Sequence, residues 1–348
     1  MLNPATADVS TGALRDGYDD ALLLRLSRLQ HRADAGLAPW ASWEAENSSF
    51  GKTLREWTGY PRWLPLCAVS DHGVHWESRC WPNEVDSPYR LFLSWNRKKC
   101  RIMREMHGKQ ALHIPHPWIA YRKAHHPNPA EVRAGTIVFF AHSNSMTTPV
   151  FESLEAYMRS LQDLPARFHP IVICLSFHDV LKGMHVKLRP FGFPIVTAGT
   201  TNAQSFVDRF YRLIGGFRYA CSPTIGSHTY YLVEAGVPFF LHGSAPTYII
   251  KGSRAVRDGE QDLRDYGDDE DIERFMALRR LFAEPVDAVT PVQRDTIATY
   301  LGLDAATPPE LLAASLRREL LTNWPRVGGL YLDNASRLLR RCLRTSGK

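Results

Sequence analysis

The chain has 348 residues, a formal net charge of +6, and 44% hydrophobic against 22% charged residues. That is enough for two ordinary domains with separate cores, in a composition typical of folded globular proteins. No run approaches the ~18–20 apolar residues of a membrane span, the first residues lack the basic and apolar regions of a secretory leader, and the six scattered cysteines form no CxxC pair. A disulfide framework and a zinc cluster are therefore not expected, and the reading fits a reducing cytoplasm.

In chain order, 12–35 carries a helical pattern through Leu14, Tyr18, Leu22, Leu26 and Leu29, while 40–66, with four tryptophans, reads as irregular or short helical structure. Strands are expected at 66–70, 90–94 and 111–114, with a basic helix over 96–106 between the last two. The polar stretch 123–134, with two prolines, reads as a linker. A second alternation follows: strands at 136–141, 170–175, 194–198, 219–222 and 237–242, with helices at 151–161, 178–188, 203–214 and 227–234. Five such β units predict a Rossmann-like parallel sheet. The tail reads as an acidic-then-basic helical stretch at 259–287, then two helices over 308–346 split near Trp324-Pro325. The domains expected are 1–128, 129–255 and a helical segment 256–348.

The stretch 219–243 is the most informative. A strand ends at Ser222, a Pro-Thr-Ile-Gly loop follows, and a helix begins near Ser227 and His228. A helix N-terminus offers free amides and partial positive charge to a phosphate. Gly226 permits close backbone approach, while Ser222, Thr224, Ser227 and His228 supply donors, charge-assisted for a protonated His228. Ser227 as a plain N-cap is the competing explanation. Glu234 closes this helix before Ala235-Gly236-Val237-Pro238.

His142, Ser143 and Ser145 follow the first strand of this alternation and should face the same crevice, because ligands of parallel sheets bind beyond the strands' carboxyl ends. In the first half, Asp71-His72-Gly73 follows a strand, so Asp71 is a candidate base or nucleophile, with an Asx turn as the alternative. His116 in His116-Pro117-Trp118, with Tyr121 and Arg122 beyond it, is a candidate hydrogen-bonding or acid group. His113 and His116 lie in a strand-to-proline segment, which argues against a metal pair. The run Asp268-Asp269-Glu270-Asp271 reads as a helix N-terminal charge cluster rather than a metal motif. Basic clusters at 97–101 and at Arg337, Arg340, Arg341 and Arg344 suit phosphate ligands or an anionic membrane, and no nucleic-acid signature accompanies them.

These motifs, Glu234-Ala235-Gly236 included, resemble those of GT-B glycosyltransferases. Asp71-His72-Gly73 and His116-Pro117 resemble motifs of bacterial sialyltransferases that use CMP-activated acidic sugars, and the Ser222/Ser227 region does so loosely. The arc 63–243 looks closer still to Kdo transferases of bacterial surface polysaccharides. His72 stands where the sialyltransferases carry an acid, and the serine pair is not intact. The resemblance implies two Rossmann-like domains with C-terminal helices packed back across both, and a metal-independent transferase with no cofactor beyond its sugar-nucleotide substrate. It implies Asp71 and His116 as catalytic, and His142, Ser143, Ser145, Ser222, Thr224, Gly226, Ser227, His228 and Glu234 as donor-binding, with Glu234 on the ribose. His72 and Arg122 would lend support. The donor expected is CMP-Kdo or a similar acidic sugar, and the acceptor an oligosaccharide or glycolipid at the inner face of the plasma membrane. A sugar-nucleotide epimerase or hydrolase, or a non-catalytic binding protein, are the alternatives.

Overall fold

The structure, a computed structural model, describes residues 16–29, 39–126, 133–250, 256–257, 263 and 267–345. The expected boundary near 128 falls in 127–132, outside the described residues.

Two parallel sheets organise the chain. The first is three-stranded, in the order β1 (Val69–Ser70), β2 (Leu91–Ser94), β3 (Gln110–His113), with Val69 opposite Phe92 and Leu93 opposite Leu112. The second comprises β4 (Thr136–Phe139), β6 (Ile171–Cys174), β7 (Ile195–Val196), β8 (Tyr219–Ser222) and β9 (Phe239–Leu241), in the order β7-β6-β4-β8-β9. β4, β6, β7 and β8 are buried throughout, which is why their sequences read as continuous apolar runs rather than alternating ones. Strand order reverses between β4 and β8, so the chain leaves these neighbours toward opposite faces and opens a crevice at their carboxyl ends.

Three details differ from the sequence-based expectation. β5 (Thr147–Val150), β10 (Thr247–Ile250) and β11 (Val256–Arg257) form an additional antiparallel sheet beside the second one. The helix expected at 178–188 is two short ones, Phe177–Leu181 and Met184–Leu188, because Gly183 takes φ 78° between them. A further helix, Pro291–Tyr300, starts from a Thr290 N-cap whose hydroxyl accepts from the Gln293 amide.

The sheets share buried apolar packing. One cluster runs from Phe50, Trp95 and Trp118 into Phe139, Phe210 and Tyr231 around the second sheet. Carboxy-terminal helices pack on both: Leu312 and Leu316 join Leu54, Leu66 and Leu93 of the first sheet, while Leu278, Phe282, Ile297 and Leu301 join the cluster of the second. The arginines from 337 onward belong to helix Trp324–Thr345, with their side chains outside the described part. No helix among the described residues is long and apolar enough to cross a membrane.

Candidate functional site

A cleft of about 650 Å³ lies at the carboxyl ends of β4, β6 and β7, where the first sheet's loops meet the second sheet. Four histidines line it, His72, His142, His178 and His228, and none of its described lining residues carries a carboxylate. Burial lowers the pKa of all four rings, so the cleft offers neutral ring nitrogens and no acidic group among its described lining.

His228 is set by its surroundings. Gly226, with φ −143° and ψ −179°, is the N-cap of helix Ser227–Glu234, so Ser227 and His228 occupy the first turn, where amides lack intrahelical partners. A Cβ at 226 would sit 2.9 Å from the His228 ring, so only glycine lets that ring lie back over the turn. There it stacks on Phe139, 4.8 Å between centroids at 9°, and its Nε2 is buried without a hydrogen-bond partner. Burial, and secondarily the neighbouring His142, pushes its pKa down to about 3, so the ring is neutral at pH 7. The charge-assisted contact expected of a protonated His228 is thereby replaced by that of a neutral ring nitrogen.

Ser227 joins the two halves: its hydroxyl accepts from the Val74 amide at 3.0 Å, and Gly73 lies so close that a Cβ there would meet the Ser227 Oγ at 2.7 Å. His72 lines the same cleft beneath Trp43, its Nδ1 buried and unpartnered and its pKa lowered to about 4, chiefly by burial and then by His75. Trp43 is 46% exposed and reaches across to Asn202, whose side-chain oxygen accepts from its indole N–H at 3.3 Å.

The cleft's remaining wall was not legible in the sequence. Ser48 and Ser49 both take left-handed φ, 54° and 62°, a conformation costing non-glycine residues roughly 1–2 kcal/mol each. Contacts with the 201–207 segment and with Trp118 hold them there. The Ser48 amide donates to the Thr201 carbonyl at 2.8 Å, Trp118 Nε1 donates to the Ser48 carbonyl at 2.8 Å, and Ser49 Oγ accepts from the Val207 amide at 3.1 Å. The turn sets Asn47 into the cleft wall, only 4% exposed, with its side-chain oxygen unpartnered. The polar run Asn47-Ser48-Ser49 before an amphipathic helix was the available signal, and it reads equally well as an ordinary cap.

Ser145 also lines the cleft, whereas the other expected site residues are engaged elsewhere. Asp71 is 2% exposed and accepts from Lys99 and Ser94, with Lys99 also held by Glu84 at 2.8 Å. His116 is fully buried: its Nδ1 accepts from the Trp118 amide at 3.2 Å, which leaves the proton on Nε2, 2.9 Å from the Tyr231 hydroxyl. Burial holds that ring neutral. The Ser143 hydroxyl donates to Asp179 at 2.6 Å and anchors the loop after β4. Ser222 Oγ is buried and accepts from the Thr224 amide at 3.2 Å. Glu234 forms a two-point ion pair with Arg122, both contacts 2.7 Å, tying the halves together at the helix's far end.

The acidic run at 268–271 caps helix Asp269–Leu281, with Asp268 accepting from the Asp271 amide, and Lys98 pairs with Asp268, Glu270 and Asp271. Among the described residues no group of three His, Cys, Asp or Glu side chains is placed to hold a metal ion.

With this geometry in hand, the chain was set against known proteins. No protein-family model matches it, and neither does any curated sequence. It is similar to a solved structure of a substituted form of the wall teichoic acid polymerase TagF soaked with CDPG, at 14% identity and a TM-score of 0.29. That match covers 68% of this chain and 60% of the polymerase chain.

Proposed function

We propose that this chain is a glycosyltransferase moving a sugar from a nucleotide-activated donor to a polysaccharide or glycolipid acceptor. One observation carries the reading: a carboxylate-free cleft at the ends of parallel strands presents the first turn of helix Ser227–Glu234 together with the unpartnered Nε2 of His228. Free amides and a buried ring donor suit the donor's phosphates, and they gain importance as charge develops on the leaving phosphate. Trp43 offers a face to a base or sugar ring. His72, unpartnered at Nδ1 on the opposite wall, is the group proposed to take the acceptor hydroxyl's proton, the part first expected of Asp71. The finer donor reading, a CMP-activated acidic sugar such as Kdo, comes from the sequence motifs. A cleft without carboxylates is compatible with such a doubly anionic donor.

A second reading, a sugar-nucleotide-binding protein without chemistry, is favoured by Asp71 and His116 both being committed to buried contacts. Thermal shift with CMP, UDP, GDP, TDP and their sugars tests the shared premise, since ligand at about 100 times its dissociation constant adds about 2.7 kcal/mol of stability. If none raises the melting temperature, both readings fail. If one does, turnover with an added glycan acceptor separates them, and product formed without acceptor marks an epimerase or hydrolase.

A further inference from the structure

A second pocket, of about 610 Å³, lies between helix Arg97–His107 and the carboxy-terminal helices and shares no lining residue with the cleft. The rings of His72 and His75, 5.2 Å apart, face one space each. The sequence of helix Arg97–His107 explains the pocket's charge. Lys99, Cys100 and Met103 turn inward, so Arg97, Arg101 and Arg104, at i, i+4 and i+7, share the other face. Arg274 faces them from helix Asp269–Leu281, its guanidinium 5.1 Å from the Tyr300 ring centroid.

The pocket's two acids already have cationic partners, Asp304 in Arg97 at 2.6 Å and Glu270 in Lys98 at 3.0 Å, a lysine it shares with Asp268 and Asp271. None of Arg101, Arg104 and Arg274 has an ion-pair partner among the described residues, and Arg104 donates from one guanidinium nitrogen to the Ala111 carbonyl at 2.9 Å. His75 adds a buried Nε2 with no hydrogen-bond partner. Three guanidiniums without an ion-pair partner among the described residues, on two facing walls, form a concave cation site, and arginine's fork matches phosphate oxygens in pairs.

We propose that this pocket is a second ligand site that takes a diphosphate group, gripped by Arg101 and Arg104 from one wall and Arg274 from the other. A diphosphate carries several negative charges and can answer guanidiniums of both walls, whereas a single-charge anion cannot match three of them. The proposal stands on the pocket's own charges and does not depend on the transferase reading.

The test is calorimetric titration of the full chain with inorganic pyrophosphate at low ionic strength, and separately with geranyl diphosphate. One arginine-dependent site is expected. R101Q/R104Q and R274Q should each weaken binding at least about tenfold, the loss of one charge-assisted contact or more, with the R274Q melting temperature unchanged and that of R101Q/R104Q lowered only by the lost Arg104–Ala111 hydrogen bond. His228→Ala should leave this binding intact. R274Q leaves helix Arg97–His107 untouched, so the test stays decisive even if the double variant folds poorly. Tighter geranyl diphosphate indicates a lipid headgroup as the source, tighter pyrophosphate a free anion, and both orders support the site. The proposal is overturned if pyrophosphate does not bind, if it binds the arginine variants as well as the parent, or if binding is lost in His228→Ala and kept in the arginine variants.

Discussion

Replacing Asp71 with asparagine separates a structural carboxylate from a catalytic one. Asp71, Lys99 and Glu84 form a buried triad, with the Lys99 and Asp71 side chains each 3% exposed. Burial alone would lower the Lys99 pKa, and the two carboxylates more than reverse that, so the lysine stays charged. Burial, with Asp71 adding to it against the pull of Lys99, pushes Glu84 up to about 7. In Asp71→Asn, Glu84 loses its like-charged neighbour and keeps Lys99, so it ionises and the lysine retains a counter-charge. The remaining cost is that of charge-assisted hydrogen bonds from Lys99 and Ser94, about 2 kcal/mol.

Lys99→Met instead leaves two buried carboxylates facing each other and should cost about 3–5 kcal/mol. At roughly 2–4 °C per kcal/mol, Asp71→Asn should lower the melting temperature by about 4–8 °C, with Lys99→Met falling further. Both variants, below their melting points, should keep the parental nucleotide affinity. Melting curves and calorimetric titration check this. An Asp71→Asn protein that melts within about 1 °C of the parent yet has lost turnover would refute the reasoning, because the carboxylate would then be acting in the chemistry.

Three further outcomes are expected. His228→Ala should weaken nucleotide affinity about tenfold or more, by loss of one buried donor to phosphate, and an unchanged affinity removes His228 from the site. With its pKa pushed down to about 3, His228 is neutral above that pH, and protonating it at pH 7 costs roughly 5 kcal/mol. Nucleotide binding at pH 7 should therefore take up no proton on its account, so uptake in the parent that vanishes in His228→Ala, measured in buffers of differing ionisation enthalpy, would contradict the neutral-donor assignment. Ser48→Gly should stabilise by about 1 kcal/mol by relieving a left-handed φ, while Ser49→Gly should destabilise by losing the hydroxyl that accepts from Val207, and equal shifts would argue against the strain account.

The local code of this chain is strong where one segment suffices. Continuous apolar runs ending in polar turns mark β4, β6 and β8 because those strands are buried on both faces, and the Pro-Thr-Ile-Gly turn before Ser227 marks a helix start because the chain reverses there. Residue type and spacing accordingly made His142, Ser145, Ser227, His228 and His72 legible, and all five line the cleft. Tertiary contact decided the rest. Asp71 ends a strand as expected, yet Lys99, twenty-eight positions on, turns it into a buried counter-ion. His116 points to Tyr231 from 115 positions away, and Glu234 meets Arg122 across 112. The left-handed Ser48-Ser49 turn is held by hydrogen bonds with Trp118 and the 201–207 segment. A sequence states which groups are available and how each neighbourhood folds. Which polar group is spent on a buried partner and which is left facing a cleft depends on segments far apart in the chain, because a buried charge or donor must find its partner wherever the fold brings one.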